Sequence, residues 1–473
     1  MSVLVDNKIV ADSVNYSDYV SEHGIYQHQR INQNTGGLVN SCSAGGGNTS
    51  IFELPVNIYN YGRSHLEFTA QCVGAGGRSA RAFVDGVPHI QRIRLYNSGQ
   101  KELVRIDDFN KYSNMLFRRE TSLEKALTYD RVIASPDDPS ASNIAGYASG
   151  LIPSNLSLTG VEVEEAGDAG RYESVQQIAY LEPKCYVQSI ALGGSTFLNW
   201  RIPLSQFMNT LLAMDRDMYL GSEVLYLEIT WSAAAKVFMT GTDDKDPTVG
   251  AAAGATDVLL SNIGLWVAIQ KDEKKRMEVM NIFKSGSVIT IPFVYSYKQN
   301  LPAGTSHTVS VKYSRGNGSY LKALYWTAYN NAETGLTTYD KNNRSDIDPP
   351  ENVKINDFYV EVNGLRTNPN NYNTAKGQDW LVAQRSLKGS CIMTSEQYYY
   401  HHTHKLDFCD RTSLDLPPIA PFDNLMDGVS LSSEVKVDIY STTGGGLPLN
   451  HYIYAVTTKA LSLNELGVVD NLI

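Results

Sequence analysis

A short strand pattern occurs twice in this chain, once in each half of the sequence. The first copy is SEVLYLEITWS at Ser222–Ser232, and the second is SSEVKVDIYS at Ser432–Ser441. In both copies apolar residues alternate with polar ones, which is the period of a strand that buries one face. We expect the apolar alternates to point into a core: Leu225, Leu227 and Ile229 in the first copy, and Val435, Val437 and Ile439 or their neighbours in the second.

The surroundings of the two copies are also repeated in the same order. The first half has a hairpin around Asn97-Ser98-Gly99, then a helix capped by Asp107 or Asp108, then a strand entering a helix capped by Ser205. The second half has a hairpin at Asn363-Gly364, followed by the candidate helix NTAKGQDWLVAQRSL. The order predicts that one β-unit of roughly 200 residues appears twice, as tandem domains.

Units of about eight short strands with few helices fit two sheets that bury their inner faces against each other. We therefore predict a mostly β fold made of two tandem eight-stranded jelly rolls, with short helices in the connections between strands. The charged segment QKDEKKRMEVMNIF is predicted to be a linker helix. The predicted domains are an extended arm at 1–49, jelly roll 1 at 50–270, the linker helix at 271–284, jelly roll 2 at 285–465 and a tail at 466–473.

Composition supports this class and excludes others. The 29 Tyr among 473 residues favour strands. A net charge of -10 argues against a surface that wraps nucleic acid, so we expect no direct sequence-specific nucleic acid binding. The five Cys lack CxxC spacing, which indicates neither a disulfide framework nor a zinc ribbon. No signal-peptide pattern or long apolar run is found, so we expect a soluble protein made in a reducing compartment.

The most conspicuous polar cluster is YYYHHTH at Tyr398–His404. On a strand, His402 and His404 would share one face, which could supply half of a metal site. No third ligand stands at a convincing spacing, so we interpret the cluster as structural or as part of an interface. The tyrosines suit a contact surface, because Tyr is favoured where one end is buried and the other is wet.

Other candidate sites have simpler interpretations. GAGGRS at Gly74–Ser79 and RGNGS at Arg315–Ser319 lack the spacing of phosphate loops and are predicted to be turns. The acidic runs lack the Gly and Glu of a calcium loop and are predicted to be solvated loops: Asp243, Asp244, Asp246 and Asp340–Asp348. No nucleophile motif occurs, although a carboxylate pair for glycoside hydrolysis would be invisible in sequence. We predict no enzyme and no catalytic, cofactor-binding or metal-binding residues.

The chain resembles the double jelly-roll major capsid proteins of tailless double-stranded DNA viruses, nearest to those of virophages and polinton-like viruses. The resemblance covers most of residues 50–465 and is one of arrangement. The segments that carry it are the corner WRIPLS at Trp200–Ser205, the strand SEVLYLEITWS, the passage SYLKALYWTAYN and the closing LNHYIYAVTTKALSLNELG.

This resemblance implies a homotrimer that forms a pseudo-hexagonal capsomer of an icosahedral shell. The implied partners are the protein itself, neighbouring capsomers and a penton or minor capsid protein, whereas membrane contact stays open. The implied location is the virion capsid, after synthesis and assembly inside the host cell. The basic residues Arg118, Arg119, Lys125 and Arg131 are predicted to form a solvated helical face, with a lumenal or inter-capsomer contact as the alternative.

Two other functions fit a Tyr-rich β protein. One is a receptor- or carbohydrate-binding β-sandwich, such as a viral spike or fibre. The tandem repetition with matched helices argues against it, because a binding module does not need two copies of the same unit. The other is a secreted glycoside hydrolase, which the absent signal peptide disfavours.

Overall fold

The structure is a computed structural model of the whole chain. It describes residues 2–5, 8–11, 25–33, 41–43, 48–74, 79–82, 89–120, 188–191, 198–220, 223–232, 238–241, 255–284, 289–330, 355–366, 371–373, 403–408, 428–443, 446, 448–463 and 469–472.

The first half of the described chain contains fifteen strands, numbered here in chain order. They are β1 Ser2–Val5, β2 Lys8–Ala11, β3 Tyr26–Asn32, β4 Ser41–Ser43, β5 Thr49–Leu54, β6 Tyr59–Gly74, β7 Ser79–Ala82, β8 Ile90–Asn97, β9 Glu102–Ile106, β10 Gln188–Ala191, β11 Leu198–Pro203, β12 Asp217–Met218, β13 Leu225–Trp231, β14 Phe238–Gly241 and β15 Ala255–Gln270.

The second half contains the remaining described strands. They are β16 Ile289–Leu301, β17 Ser306–Tyr313, β18 Tyr320–Asn330, β19 Ile355–Val362, β20 Leu365–Arg366, β21 Tyr372–Asn373, β22 Thr403–Asp407, β23 Val429–Ser430, β24 Val435–Thr443, β25 Leu449–Leu463 and β26 Val469–Leu472. The described α-helices are α1 Phe109–Glu120 and α2 Glu273–Lys284, and the short 3-10 helices are Leu204–Gln206, Leu211–Ala213 and Arg315–Asn317.

Each half is built from two antiparallel sheets with the same strand order. We give eight strands of each half the letters B to I in chain order. In the first half these are β3, β5, β6, β8, β9, β11, β13 and β15. In the second half they are β16, β17, β18, β19, β20, β22, β24 and β25. In both halves one sheet then has the order B-I-D-G and the other the order C-H-E-F. This is a jelly roll, and it occurs twice, as predicted.

The repeated strand pattern takes equivalent positions in the two halves. Both β13 and β24 are strand H, and each lies between strands C and E of its sheet. The predicted inward residues are buried in both: Leu225, Leu227, Ile229, Val435, Val437 and Ile439. The alternation of apolar and polar residues, with one face buried, therefore explains why both segments form strands.

A side-chain hydrogen bond closes the first predicted hairpin, and residues with positive φ close the second. In the first half the Asn97 side chain accepts a hydrogen bond from the backbone N–H of Lys101, which closes the turn between β8 and β9. In the second half Asn363 and Gly364 both have positive φ, as a type I′ turn requires. These hairpins set the register of strands E and F in their sheets.

Two helices lie where the sequence predicts them. Helix α1 begins directly after Asp108 and buries Phe109, Tyr112 and Leu116 on one face. Helix α2 falls within the predicted linker, and the Asp272 carboxylate caps it by accepting from the backbone N–H of Lys274.

The prediction of one helix capped by Ser205 is wrong. Two 3-10 helices, Leu204–Gln206 and Leu211–Ala213, replace it. Asn209 between them has a left-handed φ of 59°, and Thr210 is extended, so a continuous α-helix cannot run through this segment. The break lets the apolar side chains on either side reach the core in different directions: Leu204, Phe207, Leu211 and Leu212.

The segment predicted to be an extended arm, 1–49, contains part of the first jelly roll. Strand β3 pairs along β15 and forms the edge of the B-I-D-G sheet, and β4 pairs with β15 further along. Strand β3 lacks apolar alternation, and only Ile31 of it packs against the core, which explains why the sequence pattern did not reveal it. The predicted tail at 466–473 contains β26, which pairs with β25, and the remaining domain boundaries stay a prediction.

Strand β17 offers a direct test of the inner face, because its burial alternates strictly. Val309 is fully buried, and its neighbour Thr308 is exposed. We predict that Val309→Asp costs at least about 4 kcal/mol of unfolding free energy, because it places an unpaired charge between the sheets. The matched control Thr308→Asp should cost at most about 1 kcal/mol. Urea unfolding of both variants checks this, and equal unfolding midpoints would show that the face is not buried.

Candidate functional site

The structure places one residue of the predicted histidine cluster, His404, in a core. His404 on β22 is buried, with ring centroids 4.9 Å from Trp326 and 4.7 Å from Phe358. Tyr398–His402 lie outside the described residues. Among the described residues, no group of three or more His, Cys, Asp or Glu side chains is arranged to hold a metal ion. His404 thus lies among the aromatic side chains of a core, and the interpretation of Tyr398–His402 as structural or as part of an interface stays a prediction.

The core around His404 has a counterpart in the first half. Trp326 on strand D pairs in register with His404 on strand G, and Phe68 pairs in the same way with Trp200. Phe68 and Trp200 stack with ring centroids 5.5 Å apart. An aromatic pair across strands D and G therefore occupies the same place between the sheets of both halves.

The other predicted sites are a 3-10 turn, strand ends and positions on a helix, or lie outside the described residues. RGNGS begins as the 3-10 helix Arg315–Asn317, which Ser314 and Asn317 close with a capping box between β17 and β18. Of GAGGRS, only Gly74 and Ser79 are described, as strand ends. The acidic runs, Lys125 and Arg131 lie outside the described residues, and Arg118 and Arg119 lie on α1. None of the described helices is long and apolar enough to span a membrane.

The described feature with the clearest functional consequence is the contact between the two halves. The outer face of the B-I-D-G sheet in the second half packs against β9 and α1 of the first half. One cluster of buried apolar side chains runs from the first core across this contact to the second half. We call the outer residues Tyr325, Tyr452 and Tyr454 the tyrosine face.

Helix α1 inserts one aromatic ring into the tyrosine face. Tyr112 is fully buried, with its ring centroid 4.9 Å from Tyr454 and 5.8 Å from Tyr325. The Tyr112 hydroxyl accepts a hydrogen bond from Asn209 Nδ2 at 2.9 Å. Tilted and edge-on rings at these distances attract each other in addition to burying apolar area. Tyr112 therefore joins the two halves and is itself held by the 3-10 segment of the first half.

Polar groups fix the orientation of the same contact. The Tyr454 hydroxyl donates to the backbone carbonyl of Asp108 at 3.0 Å, and the Asp107 backbone N–H donates to Ser296 Oγ at 3.1 Å. Lys111 Nζ lies 3.7 Å from the centroid of the Tyr452 ring. A largely desolvated cation over an aromatic face contributes about 2 kcal/mol. The chain between β9 and α1 is therefore tied to the second half by both backbone groups and side chains.

Burial also lowers the pKa of a lysine near this contact, Lys459. Lys459 on β25 lies over Phe293, 3.6 Å from the ring centroid. Burial lowers the pKa of Lys459 to about 8, and Glu102 of the first half opposes that shift. The Glu102 carboxylate thus favours the charged form of Lys459 from the other half of the chain.

Sequence reasoning missed this contact, although a signal was present. SYLKALYWTAYN and LNHYIYAVTTKA do not alternate between apolar and polar residues. Every residue of 321–328 and of 451–459 is buried. Strands covered on both faces typically lack alternation. The two segments could therefore have been recognised as strands D and I of a sheet with a partner on its outer face.

The outer faces of the C-H-E-F sheets carry a second set of matched features. Tyr96 stacks on Tyr226 across strands E and H in the first half, and Tyr359 stacks on Tyr440 across the same strands in the second. A guanidinium lies over one ring of each pair, from Arg94 in the first half and from Arg366 in the second. These faces are charged and partly exposed, unlike the tyrosine face.

We predict that Tyr112→Ala weakens the contact between the halves by about 3 to 5 kcal/mol, because it removes a buried aromatic ring. The control Tyr112→Phe keeps the ring and loses the hydrogen bond from Asn209, at about 1 kcal/mol. Calorimetry should show two separated unfolding transitions for the alanine variant and one for the phenylalanine variant. One transition at the parental midpoint in both would contradict a joining role for Tyr112.

We predict that two buried histidines make the unfolding free energy fall in acid. Burial lowers the pKa of His451 to about 3 and that of His89 to about 3. His451 Nδ1 accepts a hydrogen bond from Trp326 Nε1 at 3.1 Å, which requires an unprotonated nitrogen. Each histidine binds its proton more weakly when folded, so its contribution to stability is complete above pH 6.5 and is lost as pH falls toward 3. At pH 5 the loss is about 2 kcal/mol per histidine.

The substitution His451→Asn tests this dependence, because the amide oxygen can replace Nδ1 as acceptor. The fall in unfolding free energy between pH 7 and pH 5 should be about 2 kcal/mol smaller than in the parent. His28 is exposed, so His28→Asn should leave the fall unchanged. Urea unfolding at a series of pH values measures both, and an unaltered fall in His451→Asn would contradict the assignment.

Comparison with known proteins identifies solved structures that share the fold of this chain. No sequence-family model and no curated protein sequence matches the chain. Among solved structures, PBCV-1 VP54 fitted into a reconstruction of the virophage Sputnik has 12% identity and a TM-score of 0.55, over 95% of this chain and 98% of that chain. The Sputnik virophage structure solved by cryo-EM has 11% identity and a TM-score of 0.55, over 95% and 89%.

The Faustovirus major capsid protein has 10% identity and a TM-score of 0.54, over 95% of this chain and 91% of that chain. At these identities the likeness shows a shared fold. It confirms the double jelly roll predicted from the sequence, over 89% to 98% of the length of the neighbours.

Proposed function

We propose that this protein is a major capsid subunit that assembles as homotrimers into pseudo-hexagonal capsomers of an icosahedral virus shell. The observation that carries the proposal is the contact between the halves. Two similar jelly rolls meet through different surfaces, the B-I-D-G face of one and the β9–α1 region of the other. Head-to-tail contacts of this kind leave one surface of each type unused at the ends of the chain.

Copies of such a chain can continue the same contact from one molecule to the next. A head-to-tail contact forms a closed ring when its rotation closes. Three copies of two jelly rolls make a ring of six similar units, and a six-sided ring tiles a nearly hexagonal lattice. Duplication of the jelly roll is therefore useful to a shell protein, whereas a single binding module gains nothing from it.

The fold neighbours support the same assignment, since the Faustovirus neighbour is a major capsid protein. On this proposal the protein has no catalytic role and carries no cofactor, and its location is the virion capsid after synthesis in the host cell. Its main partner is itself, and a penton or minor capsid protein would occupy the vertices. The net charge of -10 supports a shell that does not bind nucleic acid by sequence.

Sedimentation velocity tests the proposal. We expect a species of three times the 52.2 kDa chain mass across micromolar concentrations. Negative-stain images of that species should show a particle with a near-hexagonal outline. A strictly monomeric protein over the same range would contradict the capsid function and favour the receptor- or carbohydrate-binding alternative.

A further inference from the structure

We infer that His307 and His451 form an acid-sensitive switch that releases the edge strand β17 from the second jelly roll while the contact between the halves stays closed. The opening is local to one jelly roll and requires no assembly, so it goes beyond the proposed function. Unlike the loss of overall stability described above, it begins at a single strand.

The two histidines face each other from opposite sheets of the second half. His307 lies on strand C, β17, and His451 lies on strand I, β25. Their ring centroids are 5.5 Å apart, the ring planes meet at 48°, and both side chains are buried. Each histidine stands near the start of its strand. The pair therefore lies between the two sheets at one end of the jelly roll.

The hydrogen bonds of the pair depend on where the protons are. His307 Nε2 donates to the Gly304 carbonyl at 2.8 Å, and a carbonyl only accepts, so Nε2 carries the proton. His451 Nδ1 accepts from Trp326 Nε1 at 3.1 Å, so Nδ1 is unprotonated. A proton on His451 Nδ1 would place two donors face to face. Charging His451 therefore breaks its bond to Trp326, whereas charging His307 leaves its bond to Gly304 intact.

Neither histidine has a carboxylate partner among the described residues. Burial lowers the pKa of His451 to about 3, and the charge of His307 acts in the same direction. The third histidine of this core, His404, lies against Trp326. Two imidazolium rings at this separation repel each other strongly in an interior of low dielectric constant. Protons on the pair therefore push the two sheets apart.

The charged side chains on the surrounding strands lie elsewhere. On the B-I-D-G sheet, Lys298 and Lys405 lie over rings of the tyrosine face, and Lys322 and Lys459 stand toward the other end of the jelly roll. The charged residues of the C-H-E-F sheet contact one another or polar groups away from the pair: Lys312 with Glu434, Lys436 with Asp438, Glu361 with Tyr440, and Asp357 with Asn371.

Strand β17 is the side of the pair that can move. Among the described strands it pairs only with β24, whereas β25 pairs with both β16 and β18. The residue after His451, Tyr452, is covered by Lys111 of the first half, which holds β25 in place. The connection that enters β17 is held to β24 by one backbone hydrogen bond, from Thr443 N to the Thr305 carbonyl at 2.9 Å, and by a long one from Thr443 Oγ1 to the Gly304 carbonyl at 3.5 Å. Release of the first residues of β17 thus breaks few bonds.

Two buried polar atoms favour the same opening. His451 Nε2 and Ser441 Oγ have no hydrogen-bond partner among the described residues. Ser441 pairs in register with His307, so both atoms belong to the same end of the core. A buried polar group without a partner costs free energy that water recovers. Displacement of β17 would let water reach these atoms as well as the charged rings.

Hydrogen exchange of the full chain at pH 7 and pH 5 tests the switch, after correction for the intrinsic pH dependence of amide exchange. A histidine with a pKa of about 3 when closed and about 6.5 when open raises the open population about 25-fold between these pH values. We expect the protection of the β17 amides to fall by about that factor. At pH 5 their exchange should be insensitive to low urea concentrations, because a local opening exposes little surface. Exchange of the β25 amides should be slower and should rise with urea.

Three variants separate the roles of the histidines. His451→Asn keeps an acceptor for Trp326 Nε1 and should lose most of the fall in β17 protection. His307→Gln keeps a donor for the Gly304 carbonyl and removes the charge that faces His451, so its fall should be smaller than that of the parent. The control is His28→Asn on β3 in the first half, which is exposed and should show the parental fall.

The parent alone can overturn the inference, whether or not a variant folds. Unchanged protection of β17 between pH 7 and pH 5 would do so. Exchange of β17 at pH 5 that rises with urea as steeply as that of β25 would do so too, because the opening would then be global. In a variant with parental protection at pH 7, a parental fall in His451→Asn or in His307→Gln would equally contradict the paired switch.

Discussion

The arrangement of the two jelly rolls depends on the insertion of Tyr112 into the tyrosine face. A sheet whose outer face is aromatic must cover that face, because several large apolar rings exposed to water would be costly. The chain supplies the cover from its own first half, at the point where strand F turns into α1. Asp107 and Asp108 contribute backbone hydrogen bonds there, so the segment is held in orientation as well as in contact.

The two halves share their interiors more closely than the outer faces of their B-I-D-G sheets. The aromatic pair across strands D and G is kept in register although its members differ, Phe68 with Trp200 in one half and Trp326 with His404 in the other. A core tolerates exchange of one ring for another if volume and burial are preserved. Outer faces are free of that constraint. Glu67 in one half and Tyr325 in the other occupy the same position for different neighbours.

Local features of the fold could be predicted from the sequence, because their causes are local. Asn363-Gly364 adopts the positive φ angles that its hairpin needs, and Leu227 is buried because alternation requires one face to be inside. Strand β3 could not be predicted, since it is held by backbone pairing to β15 and has almost no apolar side chain in the core. The contact at Tyr112 was only partly visible: the lack of alternation in 451–459 indicates a covered outer face, but Tyr112 lies far from Tyr454 in sequence and only the fold brings them together.

A duplicated fold allows its two equivalent faces to take different chemistry, which a single jelly roll repeated by symmetry cannot do. The face that meets its partner within the chain is always at high effective concentration, so it can be aromatic without risk of wrong association. The equivalent face of the first half instead carries charged residues such as Glu67 and Arg201, which are compatible with exposure to water. Trp266 is partly exposed on that face and is held there by its hydrogen bond to Glu67. The difference between the two faces is thus a consequence of duplication, which lets one face bury its aromatic rings within the chain while the other keeps charged side chains in water.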